Sequence, residues 1–451
     1  DYGSRPFTSD KWRALWREFR EAWCRAIRDR HRRFDPFGAE RAIREWRNDI
    51  PRERSDLDLE LEGVPFLVKD LFDVSGEVTG CSSRVLLDRL GVPREAASTN
   101  AWIVERFRQL GAHTVGRTNM NEFAYGLDGR NAYTGDCPHP LDSRRIPGGS
   151  SSGSAWAVAA GVVPFALGTD TGGSIRLPAA LCGIYGFRFG WSRERTRGTF
   201  PLAESFDTVG WFTHSVEDMA RLIDLSGEIR TGTRAQGTDR EVGSDIRVGW
   251  FVPEGVSIGA ETVSVYREVL DRLREVGTEV VEIKEESTFD RSTLPGDEAV
   301  DAYNVIGSNE AWNVHGEWIE TYGELYDPVV RSLIERGKHW SSERLRRATA
   351  EKERVAALAD ELFRRYDLVL APATAIATPR FEEADGAFRA QILHLNTLGS
   401  LAGLPALSLP VHVDAIRSVG VQVLAPVHGE TRLRTFLERW KDAGRRSTDR
   451  L

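Results

Sequence analysis

The stretch that decides the fold is Gly148-Gly149-Ser150-Ser151-Ser152-Gly153-Ser154, followed by Gly168-Thr169-Asp170-Thr171-Gly172-Gly173-Ser174-Ile175-Arg176. Only one short segment, predicted to form a helix and a strand, separates these two glycine-serine loops. Glycine lets backbone N–H groups turn inward and approach a ligand closely, and serine supplies hydroxyl groups that attack a substrate or relay protons. The pair of loops therefore indicates a serine-based acyl-transfer centre.

The segments around the two loops alternate between predicted strands and helices. Upstream, the apolar run over 63–74 predicts a buried strand that a single lysine, Lys69, interrupts. Between the loops, Ser154 is the predicted cap of a helix over 155–160, and 162–167 returns as a strand. The remaining elements predicted in this half are a helix over 98–110 and a strand over 113–116. The alternation continues to residue 225 and is typical of an α/β fold whose sheet is covered on both faces by helices.

The second half of the chain repeats this pattern. The polar segment over 226–242 predicts a loop rather than a domain boundary. The predicted strands cover 246–251, 279–283, 367–371 and 418–424, and the predicted helices cover 262–276, most of 300–366, and 430–440. We expect the later strands to rejoin the first sheet, which gives one large domain.

The beginning of the chain predicts a separate helical segment. Residues 9–33 place large apolar side chains at helical spacing between charged ones, the pattern of an amphipathic helix. We therefore expect residues 1–50 to form an N-terminal helical segment packed on the body and residues 51–451 to form the main domain. Within that domain, the catalytic core is expected at about 60–225 and the part that shapes the pocket at about 226–451.

Composition excludes several classes of function. The chain has 451 residues and a formal net charge of -8, with 60 basic and 68 acidic residues spread along it. This balance argues against a nucleic-acid or membrane partner. The four cysteines lie far apart with no zinc-ligand spacing, which argues against both a disulfide framework and a zinc site. With no signal-peptide pattern and no apolar run of about 20 residues, we expect a cytoplasmic protein.

One short motif offers an alternative nucleophile. Gly149-Ser150-Ser151-Ser152-Gly153 satisfies the G-x-S-x-G pattern of the α/β-hydrolases, whose fold also requires an acid and then a histidine later in the chain. Histidines follow, but none lies in a distinctive context. A phosphate-binding loop is less favoured still, because no Gly-Lys-Ser/Thr sequence ends the glycine run.

A second interpretation joins Lys69, Ser150 and Ser174. The loop over 171–174 precedes residues where a helix could begin, so that consecutive N–H groups can converge on one point and stabilise an oxyanion. Ser174 would lie inside that hole and needs a base. A lysine in an apolar strand loses its charge readily, because burial lowers a lysine pKa, and Lys69 meets this condition.

These motifs together resemble the amidase signature family. The resemblance spans most of residues 60–440, because several long motifs occur in a fixed order. The motifs are Gly63-Val64-Pro65-Phe66-Leu67-Val68-Lys69-Asp70, Gly116 to Ala124, Pro147 to Ser154 and Gly168 to Gly183, with weaker similarity in Tyr366 to Pro372 and Leu401 to Ala406. The resemblance implies the fold of that family, a single large mixed, twisted β-sheet covered on both faces by helices.

The resemblance also implies site residues. By motif position, Lys69, Ser150 and Ser174 resemble the Ser-cis-Ser-Lys triad, in which the middle serine carries a cis peptide bond and Ser174 is the nucleophile. The oxyanion hole would consist of the N–H groups of Thr171, Gly172, Gly173 and Ser174. Ser151, Thr169, Asp170 and Arg176 would hold the loops in place. The alternatives are that Ser150 is only a turn residue and that Asp170 and Arg176 form only a buried ion pair.

The function implied is hydrolysis of a linear carboxamide through an acyl-enzyme, with release of ammonia or an amine. The resemblance implies no cofactor and no metal, a small-molecule amide as substrate, and a homodimer as a possible assembly. The alternative is the glutaminase subunit of a tRNA-dependent amidotransferase. The sequence departs from the family pattern at Ser152 and over 187–191, where Phe-Arg-Phe-Gly-Trp replaces the usual Lys-Pro-Thr run. The second departure alters one wall of the site and bears on substrate preference.

Overall fold

The computed structural model describes residues 39–46, 59–227, 246–253, 255–283 and 294–448. The helix predicted over 9–33 lies outside the described residues, as does most of the polar segment predicted over 226–242. In the parts of the chain that are described, no helix is long and apolar enough to cross a membrane.

The described residues form one mixed sheet of eleven strands in the order β1-β3-β2-β4-β6-β5-β10-β11-β9-β7-β8. Strand β2 pairs in parallel with β3 and β4, whereas β4 pairs antiparallel with β6. The strands are β1 Ile43–Trp46, β2 Pro65–Lys69, β3 His113–Thr118, β4 Phe165–Asp170, β5 Tyr185–Arg188, β6 Thr208–Thr213, β7 Arg247–Trp250, β8 Glu279–Glu282, β9 Leu368–Pro372, β10 Ala406–His412 and β11 Ser418–Leu424. The expectation of a single large mixed sheet that the later strands rejoin is confirmed.

Helices surround this sheet. In chain order they are α1 Ala39–Ala42, α2 Arg84–Leu87, α3 Trp102–Gln109, α4 Ser152–Ala159, α5 Arg176–Cys182, α6 Val216–Gly227, α7 Ala260–Glu275, α8 Asp297–Tyr322, α9 Pro328–Glu335, α10 Ser342–Arg365, α11 Gly386–Leu401 and α12 Glu430–Thr448. Within the predicted N-terminal segment 1–50, the described part is α1 and the edge strand β1, which pairs with β3.

Both faces of the sheet are buried, and the alternation of side chains along the central strands shows it. In β2, Phe66 and Val68 belong to the larger apolar cluster, while Leu67 between them belongs to the smaller one. Phe165 and Ala166 of β4 divide in the same way. Because successive side chains of a strand point to opposite faces, the two clusters are the cores above and below one sheet.

Some boundaries differ from the sequence-based expectation. Helix α4 begins at Ser152, so Ser154 lies inside the helix and is not its cap. The Ser154 hydroxyl donates to the Leu167 carbonyl at 2.8 Å and lies 2.7 Å from the Thr118 hydroxyl, which ties the helix to two strands. This tertiary role uses the same hydroxyl group that a capping residue would use, and the sequence does not distinguish the two.

Helix α11 and strand β10 were missed by the sequence analysis. Helix α11 buries most of its surface, and its polar Asn396, Thr397 and Ser400 are buried with the apolar ones, so it lacks the amphipathic pattern of a surface helix. Strand β10 contains Pro410, a residue that argues against a central strand in sequence analysis.

The packing of β6 against β5 predicts a severe effect at Gly210. A Cβ atom on Gly210 would lie 1.8 Å from the Phe187 carbonyl oxygen, a backbone atom that cannot move without separating the strands. We expect Gly210→Ala to lower the free energy of unfolding by about 3 kcal/mol or more, the upper end for overpacking. Gly227→Ala is the matched control, because no atom of the described residues lies within 4 Å of its added Cβ. Equal melting temperatures for the two variants would contradict this packing.

Candidate active site

The site lies where two parallel strands end. Lys69 is the last residue of β2 and Asp170 is the last residue of β4, and these strands are neighbours in parallel register. The carboxyl ends of parallel neighbours meet at one edge of the sheet, so residues 69 and 170 are brought together although 101 positions separate them. The first glycine-serine loop leads into α4, and the second connects β4 to α5.

Lys69 is in direct contact with the first loop. Its Nζ atom donates hydrogen bonds to Ser150 Oγ at 2.7 Å and to Thr169 Oγ1 at 2.8 Å. The side chain is fully buried. Burial lowers the pKa of Lys69 to about 7, although the negative charges of Asp170 and Asp207 oppose the change. A large fraction of Lys69 is therefore neutral near pH 7 and able to accept a proton.

The first loop is held against β4 by hydrogen bonds. The peptide bond between Gly149 and Ser150 is cis. The Ser151 hydroxyl donates to the Thr169 carbonyl at 3.1 Å and accepts from the Thr169 N–H at 3.3 Å. Glycine is required at position 149, because a Cβ atom there would lie 2.1 Å from Asn121 Oδ1. These contacts determine where the Ser150 hydroxyl stands relative to Lys69.

The Asp170 carboxylate organises the second loop. It accepts hydrogen bonds from the N–H groups of Gly173, Ile175 and Arg176 at 2.9, 3.1 and 3.2 Å. It also pairs with the guanidinium groups of Arg176 and Arg188, each at 2.9 Å, and all three side chains are fully buried. Burial alone would raise the pKa of Asp170, but the two guanidinium groups and the loop N–H groups outweigh it and hold the pKa well below its usual range.

Ser174 lies in this loop, just before α5, and is buried. Gly173 before it has a φ of 118°, a left-handed backbone that favours glycine. The Gly173 N–H donates to Asp170, as described above. In contrast, the N–H groups of Thr171, Gly172 and Ser174 have no acceptor among the described residues, and neither does the Ser174 hydroxyl. Three N–H donors and the Ser174 hydroxyl are therefore unpaired within residues 171–174.

A second buried carboxylate anchors the start of the loop. Asp207 Oδ1 accepts from the Thr171 hydroxyl at 2.6 Å, and Oδ2 accepts from the N–H groups of Leu202 and Ala203 at 2.9 and 3.0 Å. Burial raises the pKa of Asp207 to about 6. Sequence reasoning missed both Asp207 and Arg188. The signal for Arg188 was present, because it interrupts the apolar run Phe187-Arg188-Phe189 as Lys69 interrupts its own strand.

The wall opposite the loop comes from the second half of the chain. A Cβ atom on Gly172 would lie 2.4 Å from the Tyr303 hydroxyl and 3.1 Å from Leu393 Cδ2, and one on Gly173 would lie 3.2 Å from Asn396 Cγ. Helices α8 and α11 therefore pack directly on the second glycine-serine loop.

Comparison with known proteins identifies the family. The family model described as Amidase matches residues 36–433. The chain belongs to the amidase signature family. It is 33% identical, over 85% of this chain and 84% of its relative, to a glutamyl-tRNA(Gln) amidotransferase subunit of Symbiobacterium thermophilum. It is 29% identical, over 83% of this chain and 92% of the relative, to amidase 1 of Arabidopsis thaliana.

The fold comparison agrees with the family. A solved structure described as an amidase superposes with a TM-score of 0.78 and 28% identity, covering 94% of this chain and 95% of the other. The recognition of the amidase signature from its motifs is thus confirmed, as is the fold class. The protein is an enzyme of the class that acts on the C–N bonds of amides.

The buried charges around Asp170 predict a large effect on stability. Asp170→Asn leaves two buried guanidinium groups without their carboxylate, so we expect a loss of about 3–5 kcal/mol in the free energy of unfolding at pH 7. Because the pKa of Asp170 is depressed in the folded protein, its contribution is complete above the unfolded value of about 4 and is lost only at lower pH. The difference between the two proteins should therefore be constant from pH 5 to pH 8.

Asp414→Asn is the matched control for that experiment. Asp414 also accepts two backbone N–H groups and pairs with an arginine, Arg417, but it lies at the surface. We expect little measurable change in its melting temperature, because exposed ion pairs contribute little. A similar small change in Asp170→Asn would contradict the role of Asp170 as the anchor of the loop.

Proposed function

We propose that this protein is an amidase that hydrolyses a linear carboxamide through an acyl-enzyme on Ser174, with Ser150 and Lys69 as the proton relay. The observation that supports this most directly is the 2.7 Å hydrogen bond between Lys69 Nζ and Ser150 Oγ, made by a buried lysine whose pKa is about 7. A neutral amine in hydrogen-bond contact with a serine hydroxyl is a general base in position.

In the proposed first step, the Ser174 oxygen attacks the amide carbonyl carbon and its proton passes to Ser150, while the proton of Ser150 passes to Lys69. The carbonyl oxygen becomes an oxyanion as the new C–O bond forms. The relay then runs in reverse and protonates the leaving nitrogen, the C–N bond breaks, and ammonia or an amine departs. Water attacks the acyl-enzyme by the same route and releases the acid and free Ser174.

The unpaired N–H groups of Thr171, Gly172 and Ser174 are the proposed donors to the oxyanion. Such donors are pre-organised, and the loss of one typically costs about 2.7–4 kcal/mol of barrier. Because the Gly173 N–H already donates to Asp170, we assign Gly173 a part in shaping the loop rather than in binding the oxyanion. Asp170 and Arg176 are proposed as positioning residues for the same loop.

Ser151 and Thr169 complete the proposed site as positioning residues. Ser151 joins the first loop to β4, and the Thr169 hydroxyl accepts the second hydrogen bond of Lys69. The chemistry uses only these side chains and water, with no cofactor or metal in any step. A homodimeric assembly, a cytoplasmic location and the division at residues 50 and 51 stay predictions.

A second candidate is the glutaminase subunit of an amidotransferase, because several of the relatives, the one from Symbiobacterium thermophilum among them, are glutamyl-tRNA(Gln) amidotransferase subunits. Free glutamine carries both an ammonium and a carboxylate group, so its site needs a carboxylate as well as a cation. The two buried carboxylates at the loop, Asp170 and Asp207, already accept several hydrogen bonds from the protein itself. This occupancy favours the simple amidase.

The test is an assay of ammonia release on aliphatic, aryl and urea-type amides, with glutamine included alone and with candidate partner subunits. We expect turnover of some amide by the isolated protein. Strong activity on glutamine that appears only in a complex would overturn the simple amidase in favour of the second candidate.

Replacement of the proposed nucleophile gives a direct prediction. Ser174→Ala should reduce the hydrolysis of amides and esters by about 10⁴-fold or more, because no acyl-enzyme can form. Circular dichroism and the melting temperature should be unchanged. Ser152→Ala is the matched control from the neighbouring loop and should retain most activity. Full turnover by Ser174→Ala would defeat the assignment.

The pKa of Lys69 predicts the pH profile. Only the neutral amine accepts a proton, so kcat/KM should rise about tenfold per pH unit below pH 7 and level off above it, with an apparent pKa of about 7. Lys69→Ala should be nearly as inactive as Ser174→Ala, and its residual rate should lack this limb. A profile in which the limb persists in Lys69→Ala would assign the ionisation to another group.

A further inference from the structure

Helix α11 runs alongside the nucleophile loop and presents one face to it. Leu393 and Asn396 of this helix lie against Gly172 and Gly173. Arg389 lies four residues before Leu393 and seven before Asn396 on the same helix. Residues at these spacings share one face, with about 1.5 Å of rise per residue. Arg389 therefore lies on the same face of α11 as the two residues that touch the loop, about one turn nearer the N-terminus of the helix.

Arg389 belongs to an aromatic wall of the site. Its guanidinium carbon lies 5.9 Å from the centre of the Tyr125 ring, and the side chain is half-buried. Burial raises the pKa of both Tyr125 and Tyr303, and the positive charge of Arg389 opposes this change in each. Since the Tyr303 hydroxyl lies against Gly172, the cation and the loop are both close to the Tyr303 phenol.

No group of the described residues neutralises Arg389. Its guanidinium forms no ion pair and no hydrogen bond within the described part of the chain. The acids near α11 are already engaged: Asp385 accepts the N–H groups of Ala387 and Phe388 at the start of the helix, and Asp297 lies 2.8 Å from His394 Nε2. A half-buried guanidinium whose N–H donors have no acceptor is able to bind an anion from outside the protein.

We propose that the substrate is an amide that also carries a carboxylate, and that Arg389 binds this carboxylate while Tyr125, Tyr303 and Leu393 contact the chain between the two groups. This inference rests on the proposed function of Ser174 as the nucleophile. The planar guanidinium matches a carboxylate with two parallel hydrogen bonds, and the aromatic surroundings strengthen the pairing by excluding water. The Tyr303 hydroxyl, which has no partner among the described residues, is a further donor close to the loop.

Paired substrates test this directly. One series consists of monoamides of dicarboxylic acids of increasing length, such as succinamate and glutaramate, each compared with the uncharged alkyl amide of equal length. A second series places the acid on the leaving amine, as in N-acyl amino acids compared with N-acyl alkylamines. We expect the wild type to prefer the anionic member of one series by about tenfold or more in kcat/KM, the range for hydrogen bonds to charged groups.

Variants at Arg389 test whether this residue causes the preference for the anionic substrate. In Arg389→Met the ratio of kcat/KM for anionic over neutral substrate should fall by about tenfold to a hundredfold, mainly through KM, and Arg389→Lys should restore part of it. Arg364→Met is the matched control, since Arg364 is an exposed arginine on helix α10. A wild type without a preference, or an equal preference in Arg389→Met, would overturn the inference.

A binding measurement separates this inference from the proposed function. Calorimetric titration of Ser174→Ala protein with the anionic members of both series, glutaramate, succinamate and the N-acyl amino acids, does not depend on turnover. Binding that weakens about tenfold or more in the Ser174→Ala, Arg389→Met double variant supports the inference, even if Ser174 is not the nucleophile. Binding that is absent, or equal in both proteins, overturns it, even if neutral amides are hydrolysed. If a fluorophosphonate does not label Ser174 in the wild type, that result counts only against the proposed function.

Discussion

The ion pair between Asp170 and the guanidinium groups of Arg176 and Arg188 is the constraint on which the rest of the site depends. A carboxylate with no water around it is stable only when it is paired and hydrogen-bonded on every side. Here two cations meet that requirement together with the N–H groups of the loop. Since those N–H groups point at Asp170, the chain between residues 170 and 176 has little freedom, and the N–H groups of Thr171, Gly172 and Ser174 are left without an acceptor among the described residues.

At Lys69, in contrast to Asp170, burial prevails and favours the uncharged form of the side chain. No carboxylate pairs with it among the described residues, and its two hydrogen bonds go to the neutral hydroxyls of Ser150 and Thr169. Burial therefore outweighs the attraction of Asp170 and Asp207, and the pKa of Lys69 falls to about 7. Two buried ionisable groups at the ends of adjacent strands are thus shifted differently: Asp170 stays charged and holds a loop, whereas a large fraction of Lys69 is neutral near pH 7.

The residues that could be found from the sequence were those whose chemistry conflicts with their surroundings. Lys69 is conspicuous in an apolar strand, and the glycines mark places where backbone must approach closely, since a Cβ atom added at Gly149 would lie 2.1 Å from Asn121 Oδ1. The residues that the sequence analysis missed were those whose importance depends on partners far away in the chain. Asp207 lies in an ordinary loop, and α11 has no amphipathic stripe because it is buried almost all round.

By itself the sequence determined the α/β alternation, the two glycine-serine loops and the family, because these depend on local periodicity and on motifs contiguous in the chain. The tertiary structure alone decided which hydroxyls meet Lys69, which N–H groups stay unpaired, and that α11, the helix of Arg389, packs on the loop that carries Ser174. Those relations join residues from different ends of the chain. Only the pairing of β2 with β4 and the packing of helices on their ends determine such distances, and no local pattern encodes them.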